Sequence, residues 1–281
     1  MLISMLTSLV LWMDLTSPFT WILLATTLWM GGIGGYDDYL KLKHKNSKGL
    51  RGKKKLLLQL LFSAVVAIYL MATQNTMNTY FIPFYKNPVY IFSGLGFLIT
   101  LLTIVGTSNA VNLTDGLDGL ASGCLVMCAS VFAVVGFLSG NSELSNYLNI
   151  PYIEGSIEVA VYLSALVGAC LGFLWFNGYP AQVFMGDVGS LALGGIIGVS
   201  AVLLRREFLL ILVGGIFVAE ALSVILQVGS YKWRNKRRIF LCSPLHHHFE
   251  YKGWPETKVV VRFWIVALLL AILGLASLKF Q

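Results

Sequence analysis

Six aspartates stand in this 281-residue chain, and five of them fall into three short clusters. Asp37 and Asp38 are adjacent in "GGIGGYDDYLK" (31–41). Asp115 and Asp118 sit in "NAVNLTDGLDGLA" (109–121), and Asp187 sits in "FNGYPAQVFMGDVGSLALGG" (176–195). Grouped carboxylates suit a hard divalent cation. Magnesium takes oxygen ligands and usually binds one or two carboxylates together with substrate phosphates. A spare carboxylate can orient or deprotonate a nucleophile, and basic neighbours can offset the charge of phosphate oxygens. The combination points to phosphoryl transfer.

Other residues extend that chemistry. Asn109, Asn112, Asp115 and Asp118 recur every third residue and would form one drifting polar stripe on a helix. A plainer expectation makes Asp115 the N-cap of the following helix, with Asp118 as an acid in its first turn. It leaves the two asparagines and the glycines at 116 and 119 unexplained, and those glycines would let backbone approach a ligand. Asp187 precedes Ser190 between Gly186 and Gly189, as at a metal or phosphate site on a helix N-terminus, with a capping aspartate as the alternative. Asn177 and Phe184 offer a hydrogen bond and a stacking face for a base or sugar. "SPLHHHFEYKGW" (243–254) holds His246, His247 and His248. Three consecutive residues cannot point one way, and Cys242 with His246 lacks the rest of a zinc set, so contact with phosphate or sugar is the expected role. "KLKHKNSKGLRGKKK" (41–55) reads mainly as an anchor to anionic headgroups, with room for one lysine to reach a phosphate. Glu220 lies deep in an apolar segment, where a carboxylate is functional by default unless a partner such as Arg262 makes it structural.

These clusters need a scaffold, and the composition says which kind. The chain is 57% hydrophobic and only 12% charged, with a mean hydropathy of +0.78, against roughly 25% charged in a soluble domain. The apolar runs are continuous and not alternating. The expected fold is all-α, a polytopic membrane helix bundle forming one integral-membrane domain over 1–281. Eight spans are expected, at 19–36, 56–73, 89–108, 117–139, 157–176, 188–204, 208–229 and 259–277. Residues 1–13 read as the tail of a further membrane helix. Cys124, Cys128 and Cys170 fall in apolar runs and behave as small hydrophobes.

Sidedness follows from the basic residues. Links 37–55 and 230–258 carry eight and seven Lys or Arg, while the link at 140–156 carries none. Alternate links share a side, so 37–55, 109–116, 177–187 and 230–258 are cytoplasmic. All five clustered aspartates and the three histidines fall on that face. A cation- or proton-coupled transporter is the rival of a different class, but it would place its acids near the bilayer midplane, and here only Glu220 is deep.

"GYDDYLK", "NSKGLRGKKKLL", "GTSNAVNLTDGLDGLA", "GFLWFNGYPAQVFMGDVGSLALGG" and "SPLHHHFEYKGWPETKVVVRFW" together resemble the polyprenyl-phosphate sugar-1-phosphate transferases. The likeness runs along essentially the whole chain. Within that superfamily, the histidine triplet followed by "KGWPE" resembles the phospho-N-acetylmuramoyl-pentapeptide transferase branch. The resemblance implies that undecaprenyl phosphate attacks the β-phosphate of UDP-N-acetylmuramoyl-pentapeptide, with magnesium as cofactor and UMP as leaving group. It implies Asp187 as the metal-linked carboxylate and Asp37 and Asp38 as a catalytic pair, Asp38 orienting or deprotonating the lipid phosphate. Asp115, Asp118, Asn177 and Phe184 would contact the uridine end. Lys53, Asn112 and His246 to His248 would support the diphosphate and sugar, the histidines counting with the catalytic set. The expected partners are the two substrates and the lipid bilayer of a bacterial inner membrane, with a second copy of the chain as a candidate and no nucleic acid. A sibling that transfers N-acetylglucosamine-1-phosphate to the same lipid remains the nearest alternative. Against the resemblance, the chain is expected to lack the family's first helix, its early "PTMGG" motif and the start of the next helix.

Overall fold

The first long apolar run shows how the sequence builds its helices. A computed structural model describes residues 1–45, 49–74, 78–234 and 236–280, so Asn46, Ser47 and Lys48 of the basic stretch lie outside the described residues. Pro18 opens the run where its missing N–H is no loss, and Lys41, Lys43 and His44 fill the last turn, complementing the helix dipole. The result is a 27-residue helix, α2 (Pro18–His44), preceded by the short α1 (Leu2–Trp12). The apolar windows that follow become α3 (Gly52–Thr73), α4 (Ser93–Thr114), α5 (Leu120–Gly140), α7 (Ser156–Asn177), α8 (Gly186–Leu203) and α12 (Glu256–Ser277). The brief α6 (Ser142–Leu148) is capped by Asn141, whose side chain accepts the Glu143 and Leu144 N–H groups.

Six of these helices are long and apolar enough to cross a bilayer: α3, α4, α5, α7, α8 and α12. The fold is an all-α, multi-pass membrane bundle. Its only strands among the described residues are Thr79–Tyr80 (β1) and Val89–Tyr90 (β2), an antiparallel pair between α3 and α4. Val89 was expected to begin the third span; that helix starts at Ser93 and runs on to Thr114. The expected span at 208–229 is not straight. It divides at Gly214 into α9 (Glu207–Val213) and α10 (Gly215–Trp233), bent by 85°. Two adjacent glycines allow the break, and the Leu270 side chain lies where a Cβ on Gly215 would stand.

The core sits around α8, in which every residue from Gly189 to Leu203 is buried. Its small residues let neighbours close in: α4 passes Gly194 and Gly198, and α2 passes Gly195. Near the start of α8, Gly34 of α2 faces the Asp187 carbonyl with no room for a Cβ. That crossing brings Asp37 and Asp38 up against Asp187. A last short helix, α11 (Leu245–Tyr251), carries the histidines and leans on α10 and α12.

Candidate active site

Asp37, Asp38 and Asp187 come together, each offering a carboxylate oxygen within 4.8 Å of the others. Among the described residues they are the one such group of three or more potential metal ligands, and Cys242 with His246 forms none. The Lys41 ammonium stands among them, 2.7 Å from Asp37, 3.3 Å from Asp38 and 2.9 Å from Asp187. Lys55 reaches Asp187 at 2.8 Å. The remaining oxygens are also held. Asp187 accepts from Asn112 at 2.7 Å, and Asn112 donates again to Ser190 at 2.9 Å. Asp38 accepts the Val188 N–H at 3.1 Å, at the start of α8. Asp37 accepts the Leu50 N–H.

Two lysines at the site were missed in the sequence. Lys53, the lysine expected to reach phosphate, is exposed on the first turn of α3, and its place among the carboxylates is taken by Lys55 and Lys41. Lys41 could have been found, since it stands four residues after Asp37 and three after Asp38 on one helix face. Lys55 could not be told from Lys53 or Lys54 without the phase of α3.

Beside the carboxylates opens a polar pocket of about 330 Å³. Asp38, Lys41, Asn112, Asp115, Asp118, Asn177, Phe184 and Asp187 all line it. Phe184 is 77% exposed and presents an open ring face. Asp115 closes the end of α4 as its C-cap, not as the N-cap of α5, which is Gly119. Burial pushes the Asp115 carboxyl up to about 7, with the charges of Asp187 and Asp38 adding to the rise. Asp118 and Asn177 are tied down. Asp118 accepts the Ala181 N–H at 2.9 Å and donates its own N–H to Glu256 at 2.7 Å. Asn177 accepts from Gly119 and Ser122 and donates to the Val183 carbonyl. Both residues fasten the pocket's two loops together. Asn109 lies outside the pocket lining and binds Gln59, locking α4 to α3.

The glycines expected to make room for a ligand make room for protein as well. Gly116 is approached by His246, and Gly119 by Leu174 and Trp264. The histidine triplet points three ways. His246 is buried behind Gly116. His247 pairs with Glu250 at 2.6 Å. His248 accepts the Leu241 N–H at 3.1 Å. Glu220 does not meet Arg262, whose guanidinium stacks 4.2 Å above the Trp254 ring; it meets the start of α11 instead.

An apolar groove of about 350 Å³ runs between α4 and the bent α9–α10 pair. Its wall ends at Ala110, and Asn112 on the same helix already lines the polar pocket. The apolar groove and the polar pocket therefore adjoin along α4.

The glycosyl transferase family 4 model matches residues 20–205, which carry all five clustered aspartates. The chain belongs to that family. Chains similar to it over nearly its whole length include the phospho-N-acetylmuramoyl-pentapeptide-transferase of Protochlamydia amoebophila, 57% identical over 99% of this chain and 79% of the relative. Proteins of the same name from Desulfotalea psychrophila and Neisseria meningitidis are 51% and 50% identical, over 100% and 98% of this chain and 78% and 77% of their own lengths. These relatives extend the match through α10, α11 and α12, beyond the family model's range.

Proposed function

We propose that the chain transfers phospho-N-acetylmuramoyl-pentapeptide from UDP to undecaprenyl phosphate, at the cytoplasmic face of a bacterial inner membrane. The observation that carries this is the carboxylate triad of α2 and α8, drawn around an ammonium at the edge of a polar pocket. Relatives named for the same transfer support it.

Three carboxylates against the two ammoniums of Lys41 and Lys55 leave negative charge to spare for a divalent cation, and an all-oxygen set suits Mg²⁺. Asp187, with Asp37 and Asp38, would hold it. When bound, it would neutralise diphosphate oxygens and favour departure of the nucleotide phosphate.

The chain's own residues do the rest. Phe184 stacks on the base, while Asp118 and Asn177 hold the loops that place Phe184 and Asp115. Lys41 and Lys55 offset the charge of phosphate oxygens entering the pocket. The groove along α4 takes the polyprenyl chain and delivers its phosphate beside Asp38. Asp38 orients that phosphate and accepts its remaining proton. A lipid-phosphate oxygen then bonds to the β-phosphorus of the nucleotide, the bond from that phosphorus to the UMP oxygen breaks, and UMP leaves with the electron pair. The lipid diphospho-sugar remains in the membrane.

The test follows label from UDP-N-acetylmuramoyl-pentapeptide into solvent-extractable lipid. Label should pass only when undecaprenyl phosphate is present, and unlabelled UDP-N-acetylglucosamine should not compete. Transfer from UDP-N-acetylglucosamine alone would reassign the chain to the sibling reaction.

A further inference from the structure

Glu220 sits in the middle of α10 and has no exposure at all. A buried carboxylate persists where hydrogen bonds or charge answer it. Its two oxygens accept the Leu245 N–H at 2.7 Å and the His246 N–H at 3.1 Å, the first two amides of α11. The His246 Nδ1 lies 3.2 Å from the same carboxylate, outside hydrogen-bonding geometry. The imidazole is 1% exposed, and neither ring nitrogen has a hydrogen-bond partner. Its Nε2 faces Gly116 so closely that no Cβ could stand there. Gly116, flanked by Asp115 and Leu117, is part of the pocket wall.

Phe217, Val218, Ala221 and Leu222, the neighbours of Glu220 in sequence, line the apolar groove. Glu220 therefore stands between the groove and the pocket, joined to the pocket through one histidine ring. Capping a seven-residue helix does not by itself require a charged acceptor, since Asn or Ser caps as well. The carboxylate also stands 3.2 Å from a ring nitrogen of His246, a contact that capping does not account for.

We infer that Glu220 is a positioning residue: it holds His246 against Gly116 and so sets the pocket wall that receives the nucleotide diphosphate. The link to turnover rests on the proposed transfer; the link between Glu220 and His246 does not. Glu220→Gln keeps the side chain's volume but turns one acceptor into a donor that faces an N–H. Glu220→Asp keeps the charge.

Two readouts test this. The first is the ring NMR signals of the four histidines in the ligand-free chain. Glu220→Gln should move those of His246 and leave those of His44 in place. The second is a double-mutant cycle with His246→Ala on kcat and KM. Glu220→Gln should lower kcat/KM about tenfold, mostly through KM for the nucleotide sugar. It should add nothing further once His246 is gone, and Glu220→Asp should recover part of the loss. Unmoved His246 signals would overturn the inference, as would losses that multiply in the double variant. If the wild-type chain transfers nothing, the functional proposal fails, while the ring signals still decide whether Glu220 holds His246.

Discussion

Charge is brought into the helix bundle at both ends, and the two ends treat it differently. At one end, Asp37, Asp38 and Asp187 share Lys41 and Lys55 beside an open polar pocket. At the other end, the Arg206 guanidinium is fully buried over the Phe81 ring at 4.9 Å, next to Glu207, which is 5% exposed. Phe208 closes the region with an edge-on contact to Tyr80. Both clusters carry ionised groups out of bulk water. The inner one opens onto the polar pocket beside it, and its cations are the flexible tips of lysines that a ligand can displace. A sealed charge serves the fold, and a reachable one serves chemistry.

That contrast can be broken most sharply at Asp38. Asp38→Asn should lower turnover about a thousandfold, roughly 4 kcal/mol of transition-state stabilisation, with little change in melting temperature. A stability loss without a rate loss in the surviving folded protein would put Asp38 with the structural charges. Arg206→Met should do the reverse. Removing one member of a buried charge cluster costs about 3 kcal/mol, so the melting temperature should fall while kcat per folded molecule stays unchanged. A smaller effect is expected at the pocket's open edge. Phe184→Ala should raise KM for the nucleotide sugar about tenfold, since stacking on a base contributes ~1–3 kcal/mol, and should leave kcat nearly alone.

The smallest effect sharpens the comparison through pH. The Asp115 carboxyl is raised to about 7 in the folded chain from an ordinary value of 3.8. Ionising it therefore costs the folded state, with no cost below the ordinary value and the full cost above about 7. In chelator, Asp115→Asn should be more stable than the parent at pH 8, by about 1 kcal/mol after discounting for the open pocket. The gain should shrink as pH falls through 7 toward 4. A gain constant across that range would mean that Asp115 carries no such cost.

Much of this was legible in the sequence. Continuous apolar runs fixed the helical class, and the basic links put the aspartates on one face before any fold was known. The rest depended on helix phase and on contacts distant in sequence. Three consecutive lysines at 53–55 project in three directions, and only the packing of α3 selects Lys55. Asp115 reads equally well as the end of one helix or the start of the next; the Val111 carbonyl, which accepts its N–H, decides for the former. Glu220 and Arg262 lie at similar expected depths, yet α11 comes between α10 and α12 and takes the carboxylate for itself. The bend at Gly214 was written in its glycine pair, but a hydropathy window averages across it.

The most direct test of the central claim is the rate of UMP release from UDP-N-acetylmuramoyl-pentapeptide, with undecaprenyl phosphate, as a function of Mg²⁺ concentration, in the parent chain and in a folded Asp187→Asn variant. The account predicts release that rises and saturates with Mg²⁺ in the parent and is lost in the variant at every concentration. Release that survives chelation, or that persists in Asp187→Asn, would contradict it.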